Sequence, residues 1–173
     1  FRIFRSAREH WHEPLKENRD RLARWKPCDP KSAAETSAVA YYFGKKLHQT
    51  LGVPVGIIQR AYAGTPIEGW MPWSIQKDDP RAQAHKRTYD EASKRMVARG
   101  TSKEKALAAY EKELAEYNAK IDRGETMKNK VKPLAPPIIT KPPELGHQYP
   151  AHIFNAMIVP IRPYAIRGMV WYQ

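Results

Sequence analysis

The chain opens on Phe1-Arg2-Ile3-Phe4-Arg5, where apolar and polar positions alternate with the period of two that marks a half-buried strand. Residues 6 to 30 are polar and keep no steady period, which predicts a long loop. Ser32 with Glu35 three positions on has the spacing of a capping box, and Thr36, Ala40, Phe43, Leu47 and Leu51 recur at intervals of three and four. An amphipathic helix follows from that pattern, with a stop at Gly52, where a left-handed cap costs glycine little. The nearly unbroken apolar run Val53-Pro54-Val55-Gly56-Ile57-Ile58 then predicts a short strand buried on both faces.

Helix, glycine stop and buried strand form the rhythm of an α/β sheet covered by helices. After Ile58 the segment Gln59-Arg60-Ala61-Tyr62-Ala63-Gly64-Thr65-Pro66 makes a turn at the carboxyl end of a strand, the edge at which open α/β sheets bind ligands. Residues 80 to 124 read differently. Tyr89, Ala92 and Met96 give one apolar stripe, Gly100 breaks it, and Thr101 with Glu104 offers a second capping box. Leu107, Tyr110, Leu114, Tyr117 and Ile121 then form a heptad-like seam, so the stretch is expected to be an inserted helical hairpin whose arms pack on each other. The Pro-rich connection, residues 131 to 150, is extended by its prolines. Beyond it, Ile153 to Ile161 fit a short helix closed by Pro160 and Pro163, and Arg167 to Gln173 fit a third strand. A domain that begins in one strand and ends in another is expected to be an internal fragment.

Length and composition narrow the class. With 173 residues, 42% hydrophobic and 28% charged, the chain has one domain's worth of sequence and the balance of a globular protein. No apolar run approaches the roughly 18 residues of a spanning helix. Its one cysteine, Cys28, excludes an internal disulfide framework and a cysteine-cluster zinc site. The net charge of +12 points toward nucleic acid only until it is divided. Residues 1 to 31, 32 to 76, 77 to 132 and 133 to 173 carry +4, +1, +5 and +2, and in the third of these the signs are interspersed. That is the pattern of a solvated helical surface rather than a stripe tracking phosphates, and no nucleic-acid partner is expected.

Hydrolytic chemistry needs a nucleophile, a base and donors for an oxyanion. None of Ser6, Ser32, Ser37, Ser74, Ser93 and Ser102 sits in a nucleophile elbow, and Ser32 is better explained as a cap. His10 and His12 lie in a loop without carboxylates spaced to complete a metal triad, and the chain carries no Walker loop or dinucleotide fingerprint. Two residues have chemistry of the right kind. Gly64 either serves the geometry of its turn or presents a backbone N–H toward developing negative charge. Gln173, at the end of the expected last strand, lies at the same edge of the sheet.

Several stretches resemble the sialate O-acetylesterase family of SGNH-type carbohydrate esterases. They are Ser37 to Gly44, Leu47-His48, Leu51 to Gly56, Ala63-Gly64-Thr65-Pro66 with Glu68 and Trp70, Phe154 to Ile158 with Pro160, and Tyr164 to Gly168 into Trp171-Tyr172-Gln173. The resemblance implies a flavodoxin-like three-layer α/β/α fold, here incomplete and carrying the inserted hairpin. It implies hydrolysis of O-acetyl esters on sugars, typically sialic acids, with no metal or other cofactor, and export to where external glycans are met. It places oxyanion donors at Gly64 and Gln173 and substrate contacts at Thr65 and Asn155. In the family a Gly-Gln-Ser-Asn block with the nucleophile precedes this region and an Asp-x-x-His block follows it, so residues 1 to 173 alone are expected to be inactive. Here Ala63-Gly64-Thr65 stands where Gly-Gly-Thr is usual. The alternative is a non-catalytic carbohydrate-binding or interaction module on the same scaffold.

Overall fold

The computed structural model describes residues 1–100, 102–124 and 143–172. They form a mixed α/β structure built on a three-stranded sheet of order β2-β1-β3, with β1 Arg2–Arg5, β2 Arg24–Pro27 and β3 Gly56–Gln59. β1 is central. It pairs antiparallel with β2, Phe4 opposite Trp25, and parallel with β3, Phe4 beside Ile58. Ile3 and Phe4 point to opposite faces, and both are buried, so the alternating opening segment is covered on its two sides.

Two departures from the expected strands follow from that order. The polar stretch after Arg5 contains β2, whose Arg24 and Lys26 are exposed while Trp25 lies against Phe4, ring centroids 5.6 Å apart. The apolar run at 53–58 supplies only the edge strand β3, in which Ile57 and Ile58 are half-buried rather than enclosed on both faces. The third strand expected at the end of the chain does not form either. Residues 165–172 are irregular, and Met169, Val170, Trp171 and Tyr172 are exposed; among the described residues no neighbouring strand takes up their backbone groups. Gln173 lies outside the described residues.

Helices α1, Pro30–Ala34, and α2, Ala38–Leu51, connect β2 to β3. Ser32 does not open a helix; it is the third helical residue of α1, where its amide donates to Asp29 Oδ1 at 2.7 Å and its hydroxyl accepts from the Asp29 amide at 2.9 Å. The long helix starts at its own cap, Ser37, and ends as expected at Gly52 with φ 65°. Gln59 reaches back from the end of β3, its side-chain oxygen accepting the Ser37 amide at 2.7 Å. Helix α2 covers the Ile3 face through Gly44, where an added Cβ would fall 2.8 Å from the Phe1 ring and 2.9 Å from Ile57.

Beyond β3, a 3₁₀ turn at Ile67–Trp70 leads to α3, Trp73–Gln76, α4, Pro80–Val97, and α5, Lys103–Asp122. The cap of α5 is Ser102, accepting from the Lys105 amide; the expected cap, Thr101, is outside the described residues. No described helix is long and apolar enough to cross a membrane. The apolar seam of α5 faces the body of the protein. Tyr110 belongs to the buried cluster of Trp11, Leu145, Ile153, Ala156 and Met157, and Leu107 and Leu114 pack against it. Arg19 lies 3.5 Å over the Trp11 ring, and Arg21 donates to Asp122 at 2.8 Å, holding the far end of α5 to the loop after β1. Most of the 131–150 connection is not described; its last part includes a 3₁₀ turn at Pro143–Leu145, in which the Glu144 amide donates to the buried Ser93 hydroxyl of α4.

The short helix expected at 153–161 is present in unusual registers: a π-helix at Phe154–Ile158 continued by a 3₁₀ turn at Val159–Ile161. Pro160 has no amide hydrogen to continue an α-helical ladder. The Val159 amide bonds Phe154 O instead of Asn155 O, which leaves the Asn155 carbonyl free to accept the Leu15 amide at 3.0 Å.

Gly44→Leu tests the helix–sheet contact. Overpacking against Phe1 and Ile57 is expected to lower unfolding stability by about 1–3 kcal/mol in a denaturant titration, while Val39→Leu on the exposed side of α2 changes it little.

Candidate functional site

The turn after β3 is held from both flanks. Thr65 donates through Oγ1 to Tyr62 O at 2.6 Å and accepts the Trp70 indole N–H at 2.9 Å. Gln148 donates its side-chain amide to Gly64 O at 3.3 Å. Between these ties Gly64 is exposed with φ 73°, a backbone that side chains rarely adopt, and an added Cβ would meet nothing within 4 Å. Its N–H has no acceptor among the described residues. Gly64 thus offers a backbone donor without a partner in an exposed turn, the kind of group that can stabilise an oxyanion.

Aromatic rings wall one side of this turn. Tyr62 stacks on His147 with centroids 4.8 Å apart and an interplanar angle of 17°, His10 lies 5.8 Å from His147, and the Arg8 guanidinium is 5.8 Å from the Tyr62 ring centre. Burial raises the Tyr62 phenol and lowers the His147 imidazole from their ordinary values. On the other side, Trp70 meets Trp171 edge-on at 6.4 Å.

Arg60, the first residue after β3, anchors the turn from beneath. Its guanidinium donates to the Ser6 hydroxyl and, at 2.6 Å, to Asn18 Oδ1. Close by are two buried carboxyls. Asp20 accepts the Ala7 amide at 2.7 Å and the Leu22 amide at 2.9 Å. Glu9, whose Oε2 has no hydrogen-bond partner, is pushed up to about 7 by burial and then by the Asp20 charge, with Arg60 and Arg19 pulling the other way. His152 is pushed down to about 3 by burial, and its Nδ1 lies 3.1 Å from Gly146 O, so a neutral ring with the proton on Nδ1 satisfies that carbonyl.

Of the residues singled out in the sequence, Gly64 and Thr65 therefore share one turn. Thr65 turns its hydroxyl into that turn. Asn155 lies in the core: it is buried, with its amide nitrogen 3.3 Å from Trp11 O. Five of the six serines are engaged structurally, Ser32 in the first turn of α1, Ser37 and Ser102 as helix caps, Ser93 with Glu144 and Ser6 with Arg60, while Ser74 is exposed on α3. Sequence reasoning did not single out Gln148, Tyr62 or Arg60. The polar His147-Gln148 pair at the end of a proline-rich stretch was the only local signal for the first of these.

No family model matches the chain. Among solved structures it is similar to a carbohydrate acetylesterase from Xanthomonas citri, 32% identical, with a TM-score of 0.41 and a likeness covering 45% of this chain and 18% of that one. Among curated proteins it is 27% identical over 137 residues to the sialate O-acetylesterase of Rattus norvegicus, a match covering 79% of this chain and 21% of that protein. The sialate O-acetylesterases of Homo sapiens and Pongo abelii are 50% identical to it over 34 residues, 20% of this chain and 6% of theirs. The chain is thus similar to sialate O-acetylesterases and spans about one fifth of the length of the rat relative.

Burial of Glu9 and His152 predicts opposed acid responses. Glu9 binds its proton more tightly in the fold, so its contribution is full below about pH 4.5 and is lost as pH rises through about 7. His152 binds its proton less tightly in the fold, so its contribution is full above about pH 6.5 and is lost as pH falls toward about 3. Between about pH 4.5 and 6.5 the two slopes offset, each at most about 1.4 kcal/mol per pH unit. His152→Gln removes one of them. Denaturant titrations across that window should show the variant gaining stability relative to the parent as pH falls; parallel curves would contradict the buried neutral imidazole.

Proposed function

We propose that this chain is the central part of a carbohydrate O-acetylesterase with a flavodoxin-like SGNH fold, exported to act on acetylated sugars or glycans. The observation that carries the reading is Gly64: an exposed N–H in a left-handed turn after a parallel strand, in a chain similar to sialate O-acetylesterases. In this reading Gln173 supplies a second oxyanion donor, and the Ser-His-Asp machinery is contributed by residues outside 1–173. The engagement of five of the six serines as caps and structural ties within this chain supports that division.

The chemistry is a double displacement. Histidine takes the serine proton as serine oxygen bonds to the acetyl carbon, and the bond from the acetyl carbon to the sugar oxygen then breaks as the proton passes to that departing oxygen. Water, deprotonated by the same histidine, then displaces serine and releases acetate. Each tetrahedral intermediate carries an anionic oxygen, and in this reading the Gly64 and Gln173 donors bond to it, which makes them worth more in the transition state than in the ground state. Thr65 and Asn155 serve this site from within the fold, Thr65 by holding the Gly64 turn and Asn155 from the core, where its nitrogen is held by Trp11 O.

Acetate release from O-acetylated sugars by the intact protein tests the reading. Gln173→Ala should lower kcat by about 10²–10³-fold with a much smaller change in KM, and residues 1–173 alone should release no acetate. Serine-dependent release by residues 1–173 alone would place the nucleophile inside this chain and overturn the division of labour.

A further inference from the structure

The two helices at Pro80–Val97 and Lys103–Asp122 have no role in the esterase chemistry proposed above, yet α4 is joined to Gly64 by a short chain of hydrogen bonds. Tyr89 of α4 donates its hydroxyl to Gln148 Oε1 at 2.6 Å, and His85 of α4 contacts Gln148 O through Nε2 at 2.8 Å. A carbonyl can only accept, so His85 carries its proton on Nε2. The same rule fixes the Gln148 amide: its NH₂ must face Gly64 O, 3.3 Å away, and its oxygen must face Tyr89. Beside this link Tyr149 donates to Asp90 of α4 at 2.6 Å, and Lys86 donates to the same carboxylate at 2.6 Å, so the residue after Gln148 is tied to α4 as well.

We propose that Gln148 is a positioning residue, locked by Tyr89 and His85 of the inserted helix, whose grip on the Gly64 carbonyl holds the Gly64 N–H in its donor orientation. A glycine at φ 73° has more conformational freedom than any other residue, and the Thr65 side chain restrains only one flank of its turn. Gln148 supplies the second restraint, and α4 supplies the rigid support that an isolated loop amide lacks. The inference rests on the reading of Gly64 as an oxyanion donor.

The test uses the intact protein with Gln148→Met, Tyr89→Phe and the double variant. Kinetics on an O-acetylated sugar are read together with hydrogen–deuterium exchange of the 61–66 backbone. Gln148→Met should lower kcat by about ten- to hundredfold, the scale of a small misplacement of a catalytic group, with KM little changed and faster exchange at 61–66. Tyr89→Phe should do the same by a smaller factor, and the double variant should match Gln148→Met alone. Unchanged exchange at 61–66, unchanged kcat in Gln148→Met, or independent effects of the two substitutions would overturn the clamp. A parent protein that releases no acetate, with exchange at 61–66 still rising in Gln148→Met, would uphold the clamp and sink the esterase reading.

Discussion

Backbone groups far apart in sequence converge on residues 151–155, and the remaining packing is arranged around that convergence. The His152 carbonyl accepts the Trp11 amide, the Asn155 carbonyl accepts the Leu15 amide, and the Ala151 amide donates to Glu68 O, at 3.0, 3.0 and 2.9 Å. Buried amides and carbonyls must find partners, so these bonds bring the loop after β1 and the turn before α3 to one place. Ile153, fully buried, then has Trp11, Tyr110, Leu145 and Met157 around it, and burying such a side chain contributes about 1.5–3 kcal/mol. Ala151 reaches this point with φ 65°, a conformation that alanine adopts only where its surroundings over-determine it.

That convergence relates the core to the site. Glu68 follows the Gly64 turn closely, and Gly69 packs so tightly that an added Cβ would come within 3.3 Å of Ile153 and 3.4 Å of His147 O. The wall of the turn and the hydrophobic core are therefore built from the same short stretch of chain, residues 145–153. An exposed glycine can keep a defined geometry there because its flanks are fixed from inside the protein, by Trp70 on Thr65 and by Gln148 on the Gly64 carbonyl.

Elements governed by nearby residues could be read in advance. The strand at Arg2–Arg5, the helix ending on Gly52 and the break at Gly100 all depend on periodicity or on a single left-handed residue. What escaped depends on distant pairing. β2 is four residues long, mostly polar, and is a strand only because β1 lies beside it. Conversely, residues 167–172 have the composition of a strand and, among the described residues, no neighbour with which to form one. The turn at Gly64 was legible from its glycine, whereas Gln148 takes its place from a partner 84 positions earlier in the chain. The apolar seam of α5 is buried, but its Tyr110 packs on Trp11, a partner that periodicity along one helix cannot reveal.

The π turn at Phe154–Ile158 also sets a phase. Such a turn contains one residue more than the α-helix it interrupts, so everything after it is rotated by about 100° relative to an uninterrupted helix. In the register observed, Pro160 and Ile161 are buried and the chain leaves toward Tyr164, which packs on Phe4 and Trp25 of the sheet. Deleting one residue there would regularise the helix, return the Asn155 carbonyl to Val159, and turn Ile161 away from the core while the Leu15 amide lost its acceptor. The surplus residue works as a gear tooth, meshing the helical segment with the sheet in only one setting.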